Sequence, residues 1–136
     1  EHVAPHCGSA QVYKGVLDGR SSGVFRGRVL FHTGAVKSTT EQLSRSLLLS
    51  PNAVANAKPQ LEIDNDDVKA THGATIGQLD ANSLFYLQAR GIDLETARGM
   101  LTWGFVAEVV DRLPVPELQT WLAQRLADRL HVPDEV

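Results

Sequence analysis

Two hydrophobic periodicities divide the chain. Over residues 1–78 the apolar positions come as short or alternating runs, as in Gln11-Val12-Tyr13-Lys14-Gly15-Val16-Leu17, Gly23-Val24-Phe25-Arg26-Gly27-Arg28-Val29-Leu30-Phe31 and Leu61-Glu62-Ile63. Runs of this kind are strand signals. Asp18-Gly19, Ser22-Gly23 and Asp64-Asn65-Asp66 stand between them as expected turns, with Asp66 or Asp67 expected to accept backbone hydrogen bonds. The segment 37–50 reads two ways. Leu43, Leu47, Leu48 and Leu49 suit a helix, whereas the density of Ser and Thr and the following Pro51 favour an extended chain, which we expect.

From residue 79 onward the period lengthens. Asp80 is placed to cap one helix and Asp93 the next, with Gly91 as the residue that ends the first. Leu94, Ala97, Leu101, Phe105, Val109 and Leu113 recur every three or four residues and predict one buried face. Gly99 and Gly104 interrupt that helix and mark expected close packing. Pro114 and Pro116 stop it, and Pro116 suits the first turn of a third helix. Leu118, Leu122, Leu126 and Leu130 form that helix's stripe, with Trp121 and Ala123 expected to widen its buried face. Phe85, Tyr86, Trp103, Phe105 and Trp121 sit at helical positions; most are expected in the core, and some as an exposed patch for a partner.

Strands followed by helices predict an α+β fold, with a strand region at 1–78 and a helical domain at 79–136. Periodicity leaves the strand region open between an antiparallel sandwich and the end of a parallel β-helix, and no clean internal repeat is visible. The 136 residues suffice for a sizeable core, and 43% hydrophobic with 21% charged residues is ordinary for a globular chain. The net charge of −3 gives no bulk electrostatic reason to bind nucleic acid. No apolar run approaches the ~20 residues that a membrane-spanning helix needs. The start at Glu1, with neither Met nor a signal pattern, reads as a processed product or a piece of something longer.

Chemistry concentrates in Asp66-Asp67-Val68-Lys69-Ala70-Thr71-His72-Gly73-Ala74-Thr75-Ile76-Gly77. His72 is the candidate metal ligand, because imidazole binds iron and zinc and serves some iron–sulfur centres. Small neighbours, Gly73, Ala74 and Gly77, let another surface come close. The bland alternative is a histidine satisfied by a turn backbone, since Ala70 and Thr71 offer no soft ligand. Cys7 stands alone with His2 and His6 nearby, and no Cys-x-x-Cys or His-x-x-x-His pattern supports a closed zinc site. A single cysteine permits no intrachain disulfide and fits a reducing compartment. Glu62, Asp64, Asp66 and Asp67 lack the calcium-loop pattern and read as a solvated turn. Ser44, Ser46 and Ser50 have no nucleophile elbow, and no phosphate loop occurs. Arg90, Arg98, Arg112, Arg125 and Arg129 offer either a solvated face or the rim of a partner-binding patch.

One resemblance spans nearly the whole chain. Tyr13-Lys14-Gly15-Val16-Leu17, Leu47-Leu48-Leu49-Ser50, Pro59-Gln60-Leu61-Glu62-Ile63, Asp66-Asp67-Val68-Lys69, His72-Gly73-Ala74-Thr75, Leu84-Phe85-Tyr86-Leu87 and Arg90-Gly91-Ile92 resemble the C-terminal portion of SufB/SufD-family proteins, specifically the SufD scaffold subunits of the Suf iron–sulfur cluster assembly machinery. The resemblance implies the last turns of a right-handed parallel β-helix, then a C-terminal helical domain. It implies a non-enzymatic subunit that pairs with SufB through the β-helix and with the ATPase SufC through the helices, in the cytoplasm or, in a plant, the plastid stroma. It also implies His72 as a ligand at a cluster site shared with SufB. Many family members carry Cys where this chain has Ala70, so a transient shared cluster is expected and none on the isolated fragment. A homodimer through the cut β-helix edge is a further expectation. The alternatives are a parallel β-helix enzyme acting on polysaccharide through Glu62 and Asp66, and a purely structural partner-binding domain.

Overall fold

A computed structural model describes residues 1–132. The fold is α+β: five strands in parallel sheets precede three helices. The strands are β1 (Gly8–Leu17), β2 (Ser22–Phe31), β3 (Ser38–Leu48), β4 (Val54–Ile63) and β5 (Val68–Gln78), and the helices are α1 (Ala81–Gln88), α2 (Leu94–Val110) and α3 (Pro116–Leu130). The chain separates into two compact units, Glu1–Ile76 and a second beginning at Gly77.

In the first unit consecutive strands never pair. One sheet has the order β1-β3-β5 and the other pairs β2 with β4. β1 and β3 run parallel, with Gly8 opposite Thr39 and Leu17 opposite Leu48. β2 and β4 are also parallel, from Ser22 opposite Val54 to Phe31 opposite Ile63. The chain thus returns to the same sheet after 31 residues. These parallel pairings exclude the antiparallel sandwich. The segment 37–50 is extended as expected, forming β3, where Ser38, Thr40, Gln42, Ser44 and Ser46 are buried and alternate with less buried positions. Phe25 and Phe31 of β2, with Leu17, Ala35, Leu47 and Ala53, supply the apolar part of this core, and the Tyr13 and Phe25 rings lie 5.1 Å apart.

The turns match the expectation at two places and depart at others. Gly19 adopts φ +60 behind Asp18, whose carbonyl accepts from Ser21 N–H at 3.0 Å. Asn65 organises its turn by accepting from Asp67 N–H at 2.8 Å and donating to Thr33 O at 2.7 Å, so the amide takes the role expected of Asp66 or Asp67. Ser22-Gly23 is no turn but the start of β2, because its backbone is already in register with Val54 and Ala55.

The second unit is built on capped helices. Asp80 accepts from Ser83 N–H and Oγ at 2.7 and 2.8 Å, and Asp93 accepts from Thr96 N–H and Oγ1 at 3.0 and 2.7 Å. Gly91, at φ +86, follows the α1 cap residue Ala89 by two positions and turns the chain toward α2. Pro116 opens α3 as expected. Gly99 is buried, and a β-carbon there would collide with the backbone carbonyl of Leu130, so the end of α3 closes directly over α2. Gly104 meets nothing and is exposed, so it marks no close contact. Leu113 lies beyond α2, and Leu94 is exposed at its start, which narrows the buried face to residues such as Ala97, Thr102 and Val110. Thr102 is tolerated there because its hydroxyl donates to Arg98 O at 2.7 Å.

Candidate functional site

His72 lies within β5, the end strand of the three-stranded sheet. The glycine-marked stretch around it is extended, not a turn, so turn-backbone satisfaction does not explain this histidine. Its side chain is exposed, as are those of Thr71 and Thr75, while Ala70 and Gly73 are half-buried. A β-carbon on Gly73 would touch Leu43 of β3 at 3.5 Å, so glycine keeps the backbone beside His72 slim. The outcome is an accessible imidazole on a strand edge flanked by small residues. Such an edge presents unpaired backbone donors and acceptors to another chain.

Among the described residues, no group of three or more His, Cys, Asp or Glu side chains is placed to hold a metal ion. Cys7 is half-buried, with its backbone N–H donating to Ser38 Oγ at 3.0 Å and its thiol reaching Pro5 O at 3.8 Å. His2 is buried against Phe31, with ring centroids 4.5 Å apart, and its Nε2 pairs with Ser9 Oγ at 2.8 Å. It therefore serves the core. His6 occupies a left-handed backbone position, φ 58, as does Lys37. The acidic turn is likewise occupied with local structure. Glu62 faces Arg28 at 3.6 Å, and Asp66 and Asp67 join Lys37 and Lys69 around a shallow depression of about 330 Å³.

A second surface arises on the helices, where three of the five helical aromatics are turned outward while Trp103 and Phe105 are half-buried. Phe85 is 73% and Tyr86 56% exposed on α1, and Trp121 is 52% exposed on α3. Arg90 covers the Tyr86 ring at 4.1 Å, and Arg125 stands 5.4 Å from the Trp121 ring. Each is a cation–π pair that leaves much of the ring open. Tyr86, Leu87 and Leu101 line a depression of about 400 Å³, and Trp121, Leu122 and Leu126 line another of about 630 Å³. The helical period alone did not reveal this, since a short helix with apolar residues all round gives no sign of which face is covered.

Residues 1–105 match the family model described as SUF system FeS cluster assembly, SufBD core domain. The chain belongs to the SufBD family. It is 41% identical over 125 residues to an iron–sulfur cluster assembly SufBD family protein of Synechocystis, covering 92% of this chain and 28% of the relative. It is 47% identical over 117 residues to protein ABCI7, chloroplastic, of Arabidopsis thaliana, covering 85% and 24% respectively. To the iron–sulfur cluster assembly protein SufD of Escherichia coli it is 35% identical over 130 residues, covering 96% and 31%. The chain thus spans about a quarter to a third of these SufBD relatives. The family match contains His72 and the whole strand region, and it ends within α2, before α3 and Trp121. Membership places the chain in a family whose model is described by iron–sulfur cluster assembly in the SUF system. Among the described residues no helix is long and apolar enough to cross a membrane.

Proposed function

We propose that this chain is the C-terminal portion of a non-enzymatic SufD-type scaffold, and that His72 lends one ligand to a cluster assembled at an interface with SufB. The observation that carries the proposal is the exposed imidazole on β5, an end strand, in a chain of the SufBD family. Residues 1–78 form the last turns of a right-handed parallel β-helix on this reading, supported by the 31-residue return of β3 onto β1. Residues 79–136, of which 133–136 lie outside the described residues, are the C-terminal helical domain on the same reading.

The last strand of each sheet in chain order, β4 and β5, differs from the other. β4 carries Pro59, which lacks an amide donor and blunts an edge, whereas β5 has no proline and presents Gly73, Ala74 and Gly77. SufB is therefore proposed to add along β5, by main-chain hydrogen bonding between edges. A thiolate from SufB and the imidazole of His72 make a chemically matched pair for iron. Ala70 supplies no ligand, so the cluster is transient cargo shared between subunits and the isolated chain holds none. The open rings of Phe85, Tyr86 and Trp121, rimmed by Arg90 and Arg125, suit the SufC ATPase, whose nucleotide states would shift the scaffold through differential contact. The complex is placed in the cytoplasm, or in the plastid stroma for a plant source.

The test is reconstitution of the assembled full-length complex with His72→Ala. Iron and sulfide per complex are expected to fall while the subunits still co-purify. Unchanged content would remove the ligand role and leave a structural partner-binding domain.

A further inference from the structure

The first unit buries an unusual amount of hydrogen-bonding capacity in its interior. β3 buries Ser38, Thr40, Gln42, Ser44 and Ser46 in a single row. Part of this row is satisfied by the equivalent strand 31 residues earlier: Ser9 and Thr40 hydroxyls meet at 2.8 Å, and Gln42 Nε2 donates to Gln11 Oε1 at 2.8 Å. Two atoms next to these are not satisfied. Gln42 Oε1 and Ser44 Oγ have no protein partner, although Gln42 is 1% and Ser44 0% exposed. Reversing both glutamine amides would exchange donor for acceptor and still leave one Gln42 atom unpaired.

Gly27 of β2 faces Gln42 so closely that a β-carbon would collide with the Gln42 amide nitrogen. Gln42 and Ser44 share one strand face two residues apart, roughly 7 Å along the backbone. Buried amide oxygens and hydroxyls are almost always hydrogen-bonded, and where protein supplies no partner an ordered water does so.

We propose that Gln42 Oε1 and Ser44 Oγ form an internal water site within the strand unit. Water fits the chemistry because it can donate to an amide oxygen and exchange a hydrogen bond with a hydroxyl. Ser44 lies in register with Tyr13, and Gln42 with Gln11, so polar groups of β1 and β3 line one side of the site, while the Phe25 ring of β2 approaches the Gln42 amide from another.

A high-resolution crystal structure of the full-length protein is expected to show a water oxygen about 2.7–3.2 Å from Gln42 Oε1 or Ser44 Oγ. Magnetic relaxation dispersion on the same protein is expected to count at least one long-lived internal water that Ser44→Val removes. Continuous dry packing, with the Ser44 hydroxyl donating to a main-chain carbonyl, would overturn the inference. Should the valine variant fail to fold, the density and the relaxation count of the unaltered protein decide the matter by themselves.

Discussion

At the residue scale the clearest electrostatic feature is the pair of caps. Hydrogen bonds from the Ser83 side chain and backbone hold the Asp80 carboxyl below its ordinary 3.8, and the Thr96 backbone and side chain do the same for Asp93. A carboxylate whose folded value is lowered contributes stability that is present above the unfolded value and lost as pH falls through the folded one. The helical unit is therefore expected to lose this contribution below about pH 3.8. Asp80→Ala with Asp93→Ala should lower the thermal midpoint by a few degrees at neutral pH, and the difference from wild type should shrink in acid; far-ultraviolet circular dichroism at several pH values checks both. The caps were legible in the sequence because the carboxylate and its backbone target lie three residues apart. The burial of Gln42 and Ser44 was not: its signal was a Ser/Thr/Gln alternation from 38 to 46, which looks the same on a solvated strand.

At the element scale, close packing sets what can change. Gly99 admits the carbonyl of Leu130, a backbone atom that cannot rotate away, so Gly99→Ala must displace the end of α3. That overpacking is expected to cost about 1–3 kcal/mol, measured by urea unfolding. Gly104→Ala, at an open position, should instead leave stability level or raise it by up to about 1 kcal/mol through helix propensity. The sequence flagged both glycines alike, and only the position of α3 separates them. The same distinction governs α1, where Phe85 and Tyr86 were read as core from their apolarity and the tertiary arrangement leaves them facing solvent. Aromatic side chains held open in this way are typical anchors for a partner.

At the scale of the whole molecule, the edge of β5 has a consequence for association. An end strand with small residues and free backbone groups pairs readily with its own kind when the proposed partner is missing. The isolated chain is expected to form a dimer through β5, seen by sedimentation as a concentration-dependent rise in mass. A strict monomer at high concentration would count against that edge as a pairing surface. Introducing proline at Ala70, whose N–H points away from β3 by the alternation that Asp67 O sets in accepting from Lys37 N–H, should abolish the dimer.

The sequence by itself determined the strand-then-helix order, the extended character of 37–50, the caps at Asp80 and Asp93, the start of α3 at Pro116 and the family. These are encoded locally, in side-chain period, in carboxylates three residues from their targets, and in motifs contiguous along the chain. Tertiary structure decided the parallel pairing across 31 residues, the choice of Gly99 over Gly104 as the contact point, the outward aromatics, and the strand edge on which His72 stands. Each of these depends on which distant segment arrives alongside. Paired strands share few identical side chains, Gln11 opposite Gln42 and Leu17 opposite Leu48 among them, so the parallel pairing rests mainly on backbone hydrogen bonds that a residue pattern barely displays.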